Sequence, residues 1–363
     1  MRPNRLESLT GLRFLAATSV VLLHTLPAFP QFPIIKKIFG FGWLGVTFFF
    51  ILSGFVLTWS RLHTERLDDK HFLARRLSRI YPLHLLFLIL SIVGYELTKT
   101  PWGGYGGTSL FGTISNSLLV HGWIPLNPNI RQGWNGVSWT LSLEFFFYLT
   151  FGSLYSKLKN SSNKKLIFLG ISFYLVYVAL IGLSSLTHNN NMQDMLYFLP
   201  LPRIFEFIYG IILAFWLSRT SSKLIVKRNY AWIVLISSLM LAIKIIPSDH
   251  IFFAEFNCIA IPGFLLLIFS YAQRDLLGKK SILNKKIFQR FGEESFALYI
   301  SHVVILSAFC FALNRLSIHG TSRIAGSIMT IFFLLGCMTV ARILHDLIEK
   351  PTQAWFLKKL ASK

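Results

Sequence analysis

Cysteine and acid are scarce in this chain. The three cysteines, Cys258, Cys310 and Cys337, all fall in apolar segments with no CxxC spacing. They imply neither a disulfide framework nor a metal site, and read as packing residues. Asp and Glu number 15 against 36 Lys and Arg, for a net charge of +21. The chain also lacks metal-ligand spacing, a G-x-S-x-G elbow and a glycine motif for nucleotides, so three common kinds of catalytic site lose their signature. No internal repeat, low-complexity tract or appended soluble domain is visible, and no tightly bound cofactor is expected.

Apolar sequence is abundant. Hydrophobic residues make up 53% of the chain, with 35 Phe, and the mean hydropathy is +0.56. An ordinary soluble domain does not have this composition; an all-α polytopic membrane protein does. With spans of about 20 residues, ten are expected, near 9–28, 41–60, 80–98, 136–156, 166–186, 200–218, 230–247, 252–272, 294–314 and 323–345. If the N-terminus is inside, 26 of the 36 Lys and Arg fall in inner segments and six in outer loops. The positive-inside rule then puts both termini in the cytoplasm. Since no basic loop is long enough to form a domain of its own, the charge points to membrane topology and lipid headgroups rather than to nucleic acid. The expected organisation is one transmembrane domain over 1–346 and a short basic cytoplasmic tail over 347–363. Arg2 and Arg5 before the first span imitate a signal peptide. That span carries Arg13 and lacks an A-x-A site, so it reads as a retained helix.

The first span is also the most informative. An ionisable residue in hydrocarbon costs roughly 3 kcal/mol or more, yet this span holds both Arg13 and His24. Eleven residues at about 100° each bring the two onto one helix face, about 16 Å apart along it. Counting residues from the ends of their spans, His24 and Glu144 (in NGVSWTLSLEFFFY) reach similar depth. A carboxylate beside an imidazole holds its tautomer and raises its basicity. A catalytic His24 and a satisfied structural histidine are the two readings, and the coincidence of His24, Glu144 and Arg13 favours the first.

Other polar groups are spaced along the chain. Arg203 and Glu206 in LPRIFEFIYG stand i, i+3, placed either to pair with each other or to line the acceptor side of a cavity. Arg76 and Arg79, also i, i+3, precede the third span; they suit phosphates, or serve topology alone. His302 in SFALYISH is expected near mid-depth as a packing or cavity residue. His345, Asp346 and Glu349 are expected to pair with nearby cations. The longest outer loop, 99–135, is rich in Gly, Pro, Trp and Asn; its aromatics suit either stacking on a sugar ring or an interfacial belt, and 108–122 is expected to be interfacial or re-entrant.

Taken together and in order, several segments resemble the acyltransferase-3 family of multi-spanning bacterial enzymes that modify cell-surface sugars. They are GLRFLAATSVVLLH, WLGVTFFFILSGFVL, Arg76-x-x-Arg79 before IYP, SWTLSLEFFFY, PRIFEFIYG, SFALYISH and IEKP. The resemblance implies ten transmembrane helices in the bacterial inner membrane, acyl-CoA (first of all acetyl-CoA) as cytoplasmic donor, and a glycan or lipid-linked glycan as acceptor. It also implies catalytic roles for Arg13 and His24, with Arg76 and Arg79 on the donor side. Glu144 is expected to orient His24 or to bind the acceptor, and Trp139, Arg203, Glu206 and His302 to face the acceptor. LSLEFFFY lacks the second acidic or Gln-bearing stretch of many relatives, and the fused esterase-like domain of some is missing. The chain is therefore expected to complete transfer alone or to hand the acyl group to a partner. From another class, a flippase for a lipid-linked sugar accounts for the same intramembrane charges, although no transporter-type repeat is present.

Overall fold

An apolar run crossing a bilayer has to satisfy its backbone N–H and C=O groups internally, and a helix does so within one segment. The computed structural model of the chain describes residues 6–25, 40–63, 71–106, 109–220, 227–245, 253–317 and 323–361; among these every regular element is helical and no strand occurs. The first helices are α1 (Glu7–Thr25), α2 (Leu44–His63), α3 (Phe72–Thr98), α4 (Leu110–Ser117), α5 (Pro128–Arg131), α6 (Trp139–Leu158) and α7 (Asn163–Leu186). There follow α8 (Asn190–Phe198), α9 (Pro200–Arg219), α10 (Arg228–Ile245), α11 (Phe253–Leu276), α12 (Lys286–Arg315), α13 (Arg323–Leu344) and α14 (Lys350–Ala361). Eight helices among the described residues are long and apolar enough to cross a membrane. The other two expected spans fall on α6 and α10, helices of 20 and 18 residues. The protein is an all-α membrane protein. Much of the expected basic connections at 64–70 and 221–226, with the first outer loop at 26–39 and both chain ends at 1–5 and 362–363, lies outside the described residues.

Two compact units divide the chain: 1–13, 44–67 and 146–292 form one, and 14–43, 68–145 and 293–363 the other. In the first unit α2 and α9 cross in backbone contact. A Cβ at Gly54 would overlap the carbonyl oxygen of Phe207, and one at Gly210 that of Ile51. Small residues at a helix crossing give the close approach that substitutes for a hydrophobic drive in lipid. The start of α1 has no capping side chain of its own. Asp275 takes that role, accepting from the Ser8 N–H and from the Ser8 hydroxyl, each at 2.7 Å.

In the second unit the chain between α3 and α6 folds back among the helices. Ser109 caps α4 by accepting from the Gly112 N–H at 3.1 Å. The end of α4 then meets the middle of α3: the Tyr81 hydroxyl donates to the Ser117 carbonyl at 2.8 Å, and His84 Nε2 donates to the Asn116 carbonyl at 2.9 Å. His121 lies beyond, fully buried, its ring parallel to that of His84 at 6.3 Å. Irregular backbone at this level of a bundle is tolerated only where protein groups meet its carbonyls, as Tyr81 and His84 do here. His84 thereby has a structural reason for its place in an apolar helix.

Candidate functional site

The second unit holds His24, near the end of α1, and His302, on α12. His302 Nδ1 lies 2.7 Å from the Tyr299 carbonyl and His24 Nδ1 lies 2.9 Å from the Val20 carbonyl. A carbonyl oxygen only accepts, so in neutral rings both Nδ1 atoms carry the proton. His302 Nε2 then has a lone pair, and it stands 3.2 Å from His24 Nδ1, accepting a share of the same N–H. The rings are tilted by 56° with centroids 5.0 Å apart. What remains of His24 is Nε2, with its lone pair unused by these contacts. His302 is enclosed, whereas His24 is only partly buried.

The segment leading into α6 and the start of α6 hold α12 at this point. Asn135 Nδ2 donates to the Ile300 carbonyl at 2.8 Å. The Thr140 and Tyr299 hydroxyls are 2.9 Å apart, and the Tyr299 hydroxyl reaches the Val137 carbonyl at 3.3 Å. His302 thus sits on a helix whose carbonyl Tyr299 belongs to a residue itself fixed by the adjoining segment. Sequence reading missed Asn135, Thr140 and Tyr299 as parts of this support. Their polar side chains inside or beside apolar helices were the signal.

The other expected residues divide between the units. Trp139, Glu144, Arg76 and Arg79 share the second unit with His24 and His302; Arg13, Arg203 and Glu206 belong to the first. His302 hydrogen-bonds His24; Glu144, to which the depth argument looked, lies half-buried on α6 in the same unit. Trp139 is buried at the start of α6. Arg76 and Arg79 occupy the first two turns of α3. Arg79 Nε pairs with Glu349 at 3.4 Å, and the other Glu349 oxygen accepts from His345 at 2.9 Å. His345 and Glu349 bound a π-helical turn that re-aims the chain between α13 and α14.

Arg203 and Glu206 form the pair their spacing allows, at 3.1 Å, with 0% and 1% side-chain exposure. Thr47 bridges them, donating to Glu206 and accepting from Arg203, each at 3.3 Å. The guanidinium also lies over the rings of Phe50 and Tyr197, at 5.2 and 5.1 Å. Among the described residues no group of three or more His, Cys, Asp or Glu is placed to hold a metal ion.

The family model described as an acyltransferase domain, that of acyltransferase-3, matches residues 6–342. The acyltransferase MdmB of Streptomyces mycarofaciens is 33% identical over 327 residues, 83% of this chain and 79% of that protein. An O-acetyl transferase of Shigella phage Sf6 is 27% identical over 52% of this chain and 55% of its own length. The O-acetyltransferase OatA of Staphylococcus aureus is 24% identical over 84% of this chain and 51% of its own length. No solved structure matches the chain.

Proposed function

The chain belongs to the acyltransferase-3 family of membrane O-acyltransferases, and from that premise we propose that it moves an acyl group, acetyl first among candidates, from cytoplasmic acyl-CoA to a sugar hydroxyl of a surface or lipid-linked glycan. The observation that carries the reading is the His24 ring, whose Nδ1–H is committed to the Val20 carbonyl and to His302, leaving Nε2 as a base.

In this scheme the acceptor hydroxyl gives its proton to His24 Nε2 as its oxygen bonds to the thioester carbonyl carbon. The carbon–sulfur bond then breaks and the imidazolium returns the proton to the departing sulfur, so that ester and free CoA leave. Arg13 supplies positive charge for the developing oxyanion or the donor. Glu144 binds the acceptor, and Arg76 and Arg79 take the CoA phosphates from the cytoplasmic side of the membrane, Arg79 aimed by Glu349.

The experiment is the mass and acyl content of surface glycans from cells expressing wild type, His24→Ala or no enzyme, with protein levels matched. A mass increment with wild type alone supports the scheme. An increment that survives in His24→Ala removes the base, and no increment with wild type, in a host supplying a confirmed acceptor, leaves the flippase reading in its place.

A further inference from the structure

At the end of α3 remote from Arg76 and Arg79, an open cavity of about 710 Å³ lies against the loop that follows the helix. It falls within the range of ~300–1,000 Å³ of ligand clefts. Its walls come from Tyr95 and Glu96 in the last turns of α3, Thr113 on α4, Asn127 and Asn129 at α5, and Trp134. Arg76 and Glu96 are 20 residues apart on one helix, roughly 30 Å along it, which is about the hydrocarbon thickness of a bilayer. The cavity and the arginines therefore open on opposite sides of the membrane.

The lining suits one ligand chemistry. Tyr95 and Trp134 meet edge to face with centroids 5.9 Å apart and give an aromatic wall. Trp134 Nε1 donates to the Thr113 hydroxyl at 3.0 Å, which sets the indole against the cavity. Asn127 is exposed and accepts the Ile130 N–H through its carboxamide oxygen at 3.3 Å, a contact that leaves its NH2 uncommitted. Asn129 and Glu96 are exposed at the rim, and one Glu96 oxygen is paired with Lys99. Amide donors and a carboxylate acceptor set around an aromatic face match a pyranose ring, with hydroxyls at its edge and C–H groups on its face.

The same loop is fastened to α12 on either side of His302. The Gly103 N–H donates to the Ser307 hydroxyl at 2.9 Å, and Asn135, next to Trp134, donates to the Ile300 carbonyl. We propose that this cavity is the acceptor site and binds a sugar ring of the glycan, with Tyr95 on its face and Glu96, Asn127 and Asn129 on its hydroxyls. The proposal rests on the acyl-transfer reading above for its meaning, and its test is separable from it.

The test uses the full-length protein in detergent, with methyl glycopyranosides as probe ligands in saturation-transfer NMR and acyl-CoA-dependent labelling of isolated envelope glycans as the activity. Wild type should give ring-proton signals, and Asn127→Ala with Asn129→Ala should abolish them while the unfolding temperature stays in place. In transfer assays the same variant should raise the acceptor KM about tenfold or more, with kcat and the KM for acyl-CoA within about twofold. Tyr95→Phe should bind as wild type, and Tyr95→Ala should not. Equal signals from wild type and the double variant, no signal from wild type, or an unchanged acceptor KM overturns the cavity as the acceptor site. Sugar binding lost in the variant, in an enzyme that labels no glycan, keeps the cavity and overturns the acyl-transfer reading instead.

Discussion

His302 Nε2 accepts from His24 Nδ1 across 3.2 Å, although 278 residues separate the two in sequence. The contact joins a histidine whose Nε2 lone pair is left over to one that is wholly enclosed.

His302→Leu removes that acceptor and leaves His24 with Val20 alone. We expect kcat to fall about 10- to 100-fold, the range for loss of a group that orients a functional histidine, with both KM values nearly unchanged. His24→Ala should cost more, about 10² to 10⁴. Steady-state transfer at matched protein levels separates the two, and a wild-type kcat in His302→Leu refutes the orienting role.

Glu349 should act on the donor through Arg79. Glu349→Gln is expected to raise the KM for acyl-CoA several-fold while the acceptor KM holds, and Arg76→Ala with Arg79→Ala should raise it further. If that double variant binds acyl-CoA with unchanged affinity in a titration, the arginines have no part in holding phosphates.

Breaking the buried Arg203–Glu206 pair should destabilise the protein by about 3–5 kcal/mol, because the surviving charge stays enclosed. Arg203→Met should therefore unfold in detergent well below wild type, and Arg203→Met with Glu206→Met should recover much of the loss. Transfer by the recovered double variant decides between the two sequence readings: retained activity makes the pair structural, and lost activity in a folded protein puts it in the acceptor path.

The crossing of α2 and α9 admits no side chain at Gly210. Gly210→Ala should cost about 1–3 kcal/mol or more by forcing the backbones apart. Gly152→Ala is the control, since nothing lies within 4 Å of a Cβ there. Thermal unfolding followed by tryptophan fluorescence should show a drop for the first and none for the second.

What the sequence made legible is what lies along one helix. Apolar runs located the long helices, and an i, i+3 spacing anticipated the Arg203–Glu206 pair. Helix starts were read late where polar turns extend beyond the hydrocarbon: α12 begins at Lys286 and α3 at Phe72, each eight residues before the span read from hydropathy. Counted from the true starts, His24 is 17 residues into α1 and His302 is 16 residues into α12. The 3.2 Å contact puts the two rings at one level of the helix pair. Depth gives no bearing around the bundle, so the count that set Glu144 level with His24 had no means of finding His302 beside it. The aromatic loop 99–135 offers sugar stacking from the sequence alone, but the cavity at Tyr95 and Trp134 does not show there, for a related reason. Its walls come from four short segments whose order in the chain says nothing about which of them converge.

The carbonyls that fix the two rings are Val20, four residues before His24, and Tyr299, three before His302. Each imidazole therefore takes its proton placement from its own helix, as local information that travels with it. A slide of α1 past α12 would open the 3.2 Å contact and leave both tautomers unchanged. The base would arrive at either position already set, so helix motion and proton bookkeeping are independent variables in this protein.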